Sequence, residues 1–190
     1  FGSLPSVTTI LGATQGSKAA LERWNKKNPG KKEQAARRGT AVHARMEHYL
    51  LGEKDFKHEE NEDPEFIKET VEPFWNGLPE KLDKFDKVIW AENPANNDFQ
   101  WCIGGDGISR VWSPGEHENE TRGWAGAPDI IATYKGKVVL GDLKTSNGLY
   151  FGKWPGADTP KDQYGMRRAG FIKYQKCCMQ LAAYDIAVQH

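Results

Sequence analysis

The sequence predicts an α/β fold, and three observations carry that prediction. Two apolar, β-branched runs, Gly126 to Tyr134 and Lys137 to Thr145, are separated only by Lys135-Gly136, which marks a hairpin with a two-residue turn. Apolar residues recur at helical spacing from about Gln34 to Leu51 and from Tyr174 to Val188. Short strand-like runs stand between, at Lys87 to Glu92, Phe99 to Ile103 and Ile108 to Trp112. At 190 residues the chain suits a single domain, residues 1–190, with a substantial core.

Taken in order, Ser6 is placed to cap a short helix carrying Val7, Ile10 and Leu11 on one side. Ser17 would cap a second helix through Trp24, stopped by Asn28-Pro29-Gly30. This N-terminal segment, to about residue 38, is helical and basic. Its cations include Lys31, Lys32, Arg37 and Arg38, which read equally as a solvated face or a phosphate-contacting patch. The next helix carries His43, Met46, Glu47 and Leu50 on one stripe, with Gly52 as its stop. A lone His on such a stripe is usually a hydrogen-bonded core residue, but His43 and Glu47 together can also bind metal.

Lys57 to Pro64 is acidic and reads as a loop. Pro64 suits the first turn of a helix bearing Phe66, Ile67, Val71, Phe74 and Trp75, and Pro79 starts another through Leu82 and Phe85. Gly104-Gly105-Asp106-Gly107 is a turn, without the spacing or following helix of a nucleotide-binding loop. Ser113 to Arg122 is a polar loop, and Ser146 to Gly170 a long one rich in Gly, Pro and aromatics. In the last helix Tyr174, Cys177, Cys178, Leu181 and Val188 lie near one apolar stripe. Gln180 and Tyr184, four apart, share a face, which alone reads as a polar edge beside the core.

Composition excludes several classes. Lys+Arg and Asp+Glu number 26 each, so net charge selects no partner and any polyanion must meet a local patch. No apolar run is long enough to span a membrane, so no membrane partner is expected. The cysteines, Cys102, Cys177 and Cys178, are odd in number and match no disulfide framework, zinc knuckle or iron–sulfur pattern. They fit a reducing compartment, and the chain is not expected to be secreted.

The hairpin holds the sharpest chemical signal. With Tyr134 opposite Lys137, counting back along the ladder sets Asp129 opposite Asp142. Opposed like charges on paired strands repel, and buried carboxylates need a cation or a shared proton. Lys144 is two residues past Asp142, on the same strand face. A divalent metal held by the two aspartates beside Lys144 accounts for all three; a surface hairpin end with an Asp–Lys ion pair is the alternative.

Together, Pro128-Asp129, Asp142-Leu143-Lys144, His43 on a preceding helix and Gln180-Leu181-Ala182-Ala183-Tyr184 resemble the PD-(D/E)XK nuclease superfamily in its RecB-like branch. The opening Leu4-Pro5-Ser6-Val7-Thr8-Thr9-Ile10-Leu11 and Arg38-Gly39-Thr40-Ala41-Val42-His43 are more specifically similar to the mitochondrial genome-maintenance exonuclease group and its phage relatives. The resemblance implies a restriction-endonuclease-like core, a central mixed β-sheet flanked by helices. It implies that His43, Asp129, Asp142 and the Leu143 carbonyl bind Mg²⁺ or Mn²⁺, that Lys144 orients or activates water, and that Gln180 and Tyr184 hold the scissile region or Lys144. Glu92 falls where such sequences often carry a Glu. Family cores carry further strand after the Gln-x-x-x-Tyr helix; this sequence stops at His190, so either its C-terminal end is truncated or the sheet closes another way.

The function expected on this resemblance is metal-dependent DNA exonuclease activity, on single-stranded DNA, by a monomer. Its setting would be the cytoplasm of a bacterial or phage-infected cell, or the mitochondrial matrix in a eukaryote. Arg37, Arg38, Lys31 and Lys32 would contact DNA phosphates. Two rivals stand beside it: a nucleic-acid-binding module without turnover, and a metal-dependent hydrolase of small phosphate esters.

Overall fold

The computed structural model describes residues 5–13, 18–54, 56, 63–91, 100–103, 109–112 and 124–189. The chain gathers into two compact units. One, the hairpin unit, comprises Gly16–Asn97 and Pro128–Thr145; the other, the long-helix unit, comprises Phe1–Gln15, Asp98–Ala127 and Ser146–His190. The expected turn at Gly104 to Gly107, the loop at Ser113 to Arg122, Ser17, Glu92 and nearly all of the acidic stretch after Lys57 lie outside the described residues.

In the hairpin unit, α2 (Lys18–Lys27) precedes α3 (Lys31–Leu50). Gly30 stands at the N-cap of α3 with a positive φ of 74°, and Gly52 follows its end at 93°. Pro64 opens the next helix as expected, with Asp63 capping it by accepting from the Glu65 N–H. That helix is interrupted: α4 (Pro64–Phe66) gives way to a π-helical turn, Ile67–Val71, and then α5 (Glu72–Trp75). Pro73 supplies the reason. It has no N–H and its ring crowds the carbonyl four residues back, so widening the preceding turn relieves the clash. The expected face survives, with Phe66, Val71 and Trp75 buried. A short α6 (Pro79–Leu82) completes the helices.

Strands β1 (Lys87–Ala91), β5 (Ile130–Tyr134) and β6 (Lys137–Gly141) form one sheet in the order β1-β5-β6. Strand β5 is central, and Ile130, Ile131 and Ala132 are all buried. Ile130 and Ala132 join Met46, Trp75 and Leu82 in one core cluster. Ala41, Val42, Phe66 and Val71 make a second, and the Leu143 side chain packs on both. Strand β6 is an edge, and although its run is apolar, Val138 is 64% exposed. A bulge between Val88 and Trp90 lets β1 follow β5 while Ile89 turns outward.

The long-helix unit begins with α1 (Val7–Ala13), where the Ser6 hydroxyl accepts from the Thr9 N–H and caps the helix as its sequence predicts. Strands β2 (Gln100–Ile103), β3 (Ser109–Trp112) and β4 (Trp124–Gly126) form a sheet in the order β3-β2-β4. Helix α7 runs from Lys161 to Gln189. The long loop expected through Gly170 therefore ends at Pro160; Gly165 and Gly170 each cost helix stability without stopping the helix.

The expected mixed sheet differs from what the described residues form. Every ladder is antiparallel, in two three-stranded sheets, and parallel pairing is confined to an isolated bridge between Ser6 and Ala125. Adjacent strands of a hairpin return antiparallel, whereas parallel neighbours need a long crossover. The fold class is thus α/β in composition, built on small antiparallel sheets flanked by helices.

The hairpin turn has both central residues at positive φ, Lys135 at 51° and Gly136 at 71°, as a type I′ turn requires. Gly136 adopts this freely; Lys135 does so at a cost. Replacing Lys135 with Asn is expected to stabilise the protein by up to about 1 kcal/mol. In a chain of this length that raises Tm by about 2–4 °C in a thermal melt.

Candidate functional site

The β5–β6 register places the acidic pair. Tyr134 pairs with Lys137, and the ladder continues to Ile130 opposite Gly141. Asp129 and Asp142 occupy the next position, one residue beyond each strand end. Asp129 is buried, and the Asp142 side chain is 4% exposed. Burial pushes the Asp142 carboxyl above its ordinary pKa and the Asp129 charge adds to the rise, while Lys144 and His43 oppose it. The Lys144 ammonium is ion-paired with Asp142 Oδ2, so the ion pair expected of a hairpin end is present, but at a carboxylate closed off from solvent.

His43 arrives from α3. Its Nε2 lies 3.0 Å from the Leu143 carbonyl oxygen, and its Nδ1 lies 3.4 Å from Asp129 Oδ1. The Leu143 N–H in turn donates to Asp129 Oδ2. Leu143 is thereby gripped three ways: its side chain by the core, its carbonyl by His43 and its N–H by Asp129. His43, Asp129, Asp142, Leu143 and Lys144 all belong to the hairpin unit and stand together there.

Residues 142–145 form no ladder, and α3 holds Leu143 and Thr145 instead. Besides His43 on Leu143, Arg38 Nη2 donates to the Thr145 carbonyl at 3.3 Å. Alternate carbonyls of an extended segment point the same way, so α3 serves the segment as a partner strand would. A side chain at Gly39 would come within 3.4 Å of Thr145 Oγ1. The sequence carried a signal for this approach, a glycine in mid-helix one turn before His43, but nothing in it named Thr145 as the neighbour.

Arg38 is therefore not on the surface where a phosphate-contacting patch needs it. It is 7% exposed, its guanidinium lies 4.3 Å from the centre of the Phe74 ring, and its Nε finds no acceptor among the described residues. Burial lowers its pKa. Lys31, Lys32 and Arg37 do stay exposed, Arg37 stacking over Phe66 at 3.9 Å. Glu47 is buried on α3 but belongs to another group. Burial raises its pKa, and the charges acting on it are His48 and Glu53, not the aspartates.

Gln180 and Tyr184 lie on α7, in the long-helix unit. The expected apolar stripe is displaced there: Tyr174 and Cys178 are exposed, whereas Gln180 and Tyr184 are among the most buried residues of the helix. Gln180 Nε2 donates to the Tyr184 hydroxyl at 2.9 Å. Packing explains the exchange. Tyr184 lies over Gly126, where an added Cβ would come within 2.6 Å of its ring.

Among the described residues no three His, Cys, Asp or Glu side chains converge as a metal site stands ready-made. The donor set nonetheless suits a hard divalent cation: two carboxylates, a carbonyl and an imidazole. The mutual repulsion of Asp129 and Asp142 is the demand such a cation answers. Binding one would require His43 to turn from the Leu143 carbonyl and Lys144 to release Asp142. No family model, no curated protein and no solved structure matches the chain. No described helix is long and apolar enough to cross a membrane.

Asp142→Asn, measured without divalent metal, is expected to raise Tm above about pH 7 by a few degrees. A carboxyl whose folded pKa exceeds its unfolded one favours the folded state only while protonated. Its favourable contribution is full at low pH and is lost as pH rises through the folded pKa. The advantage of Asn should accordingly vanish below about pH 4. A Tm lowered at high pH would instead make the Lys144 ion pair the dominant interaction.

Proposed function

We propose that this chain is a metal-dependent phosphodiester hydrolase, a nuclease of the PD-(D/E)XK type acting on DNA. The observation that carries the reading is the hairpin register: it brings Asp129, Asp142 and Lys144 together at one buried strand end, with His43 and the Leu143 carbonyl beside them. Asp129, Asp142, the Leu143 carbonyl and His43 would hold Mg²⁺ or Mn²⁺. When bound, the cation would polarise the phosphate and lower the pKa of an attacking water. Lys144, once released from Asp142, would orient that water and carry positive charge toward the phosphate. Arg38 would act as a positioning residue, fixing the Thr145 carbonyl and so the backbone that bears Lys144.

End-labelled single- and double-stranded oligonucleotides, incubated with Mg²⁺, Mn²⁺ or EDTA, test the reading. Cleavage should appear with metal and stop with EDTA. Asp142→Asn and His43→Ala should each lower the rate by about 10²–10⁴. Binding without cleavage would favour a binding module, and turnover of a mononucleotide ester alone would favour a small-ester hydrolase.

Arg37 and Arg38 should separate in the same assay. Arg38→Gln should lower kcat by about tenfold or more while leaving KM and salt dependence in place, because it disturbs geometry. Replacing Lys31, Lys32 and Arg37 should leave kcat and flatten the salt slope, by about 0.7 for each single-strand phosphate no longer neutralised. An unchanged slope would make these three a solvated face.

A further inference from the structure

The stretch before α7 does not lie free. Residues 148–154 form a strap packed against the helix between Arg167 and Tyr174. Gly148 sits beside the Lys173 ammonium, the Phe151 N–H donates to the Gly170 carbonyl at 3.3 Å, and Trp154 meets Phe171 edge-to-face at 5.3 Å. Gly170 permits this: any side chain there would overlap the Leu149 carbonyl and the Phe151 ring. The strap's aromatic rings are thus set against a rigid element rather than carried on a loose loop.

Four rings on this face fill no core. Tyr150, Trp154, Tyr164 and Tyr174 are between 38% and 48% exposed. Cations stand among them. Arg167 lies 5.7 Å from the Phe151 ring, Arg168 5.8 Å from Trp154 and Lys173 5.9 Å from Tyr150. Among the described residues none of these three cations is paired with a carboxylate. The imbalance is local: residues 149–176 hold six Lys or Arg against two Asp, in a chain whose charges cancel as a whole.

We infer that this strap-and-helix face is a binding platform for single-stranded nucleic acid. Exposed rings held rigidly accept successive bases by stacking, and interleaved cations track the backbone phosphates. A duplex hides its base faces and would leave the rings without a role. What is new is the surface: the single-stranded form is what the resemblance implies, and reading this face as a substrate platform rests on the nuclease reading. The residues that carry the platform, however, lie outside the Asp129–Asp142 cluster, and its test requires no cleavage.

The experiment is fluorescence anisotropy of a labelled oligothymidine with the full chain in EDTA, across a salt series. Trp154→Ala should weaken binding at least about fivefold, the loss of one stacked base. Arg167→Gln with Arg168→Gln should reduce the log–log salt slope by about 1.4. Trp154 also packs on Phe171 and both arginines lie beside strap rings, so a melting curve accompanies each variant; the double arginine variant, at two exposed positions, decides the matter if Trp154→Ala unfolds. Equal or tighter binding of oligouridine supports the platform and makes RNA its polymer. Unchanged affinity and slope in the folded variants overturn the inference. So does duplex binding as tight as single-strand binding, or binding to phosphatidylserine vesicles with none to the oligonucleotides. Loss of cleavage with these binding effects intact would remove the nuclease reading alone; cleavage with unaltered binding in the variants would remove the platform alone.

Discussion

Two carboxylates held at neighbouring strand ends are the constraint around which the hairpin unit is arranged. The turn at Lys135-Gly136 fixes the register, and the register leaves Asp129 and Asp142 no choice but proximity. Buried like charges are unfavourable, and the unit answers in three ways. Lys144 pairs with Asp142, the Leu143 N–H donates to Asp129, and the imidazole of His43 stands against Asp129. Each answer uses a group that a bound cation would also use or replace. Even so, burial first and the Asp129 charge second leave the Asp142 carboxyl above its ordinary pKa.

Helix α3 converts this local constraint into a supported site. It buries Val42 and Met46 in the core and presents His43 and Arg38 to consecutive odd-numbered carbonyls, Leu143 and Thr145. A segment without a ladder would ordinarily leave such carbonyls to water. Here a buried guanidinium takes one of them at the cost of an unmatched Nε. Burying a charge without a full set of partners is expensive, and surface residues are not built that way. The expense is intelligible if the position of Lys144 matters more than the last increment of stability.

What was legible in the sequence follows from which interactions are local. The turn, the hairpin register, the Ser6 cap and the Pro64 helix start each depend on a few adjacent residues, and all are found. The acidic pair follows from register alone. The burial of Arg38 was not legible, because it depends on Phe74 and Thr145, distant in the chain. The edge position of β6 was likewise hidden, since an apolar run reads alike at an edge and at a centre until its neighbours are known. Helix α7 was cut short for a related reason. Glycines at 165 and 170 argue against helix locally, but the strap packed on Gly170 needs that position bare.

The same logic exchanges the roles of residues along α7. Periodicity alone favours Tyr174 and Cys178 as core, because they lie near one stripe with Cys177, Leu181 and Val188. Yet a tyrosine fills a core best when its hydroxyl has a partner, and Gln180 supplies one four residues away. Gly126 supplies the space for the ring. Once Tyr184 is seated, Gln180 is carried inward with it, and helical geometry turns Tyr174 and Cys178 toward solvent. Exposure of Tyr174 is then a consequence of how α7 is anchored, and the aromatic face it shares with the strap is what that anchoring leaves available to a partner.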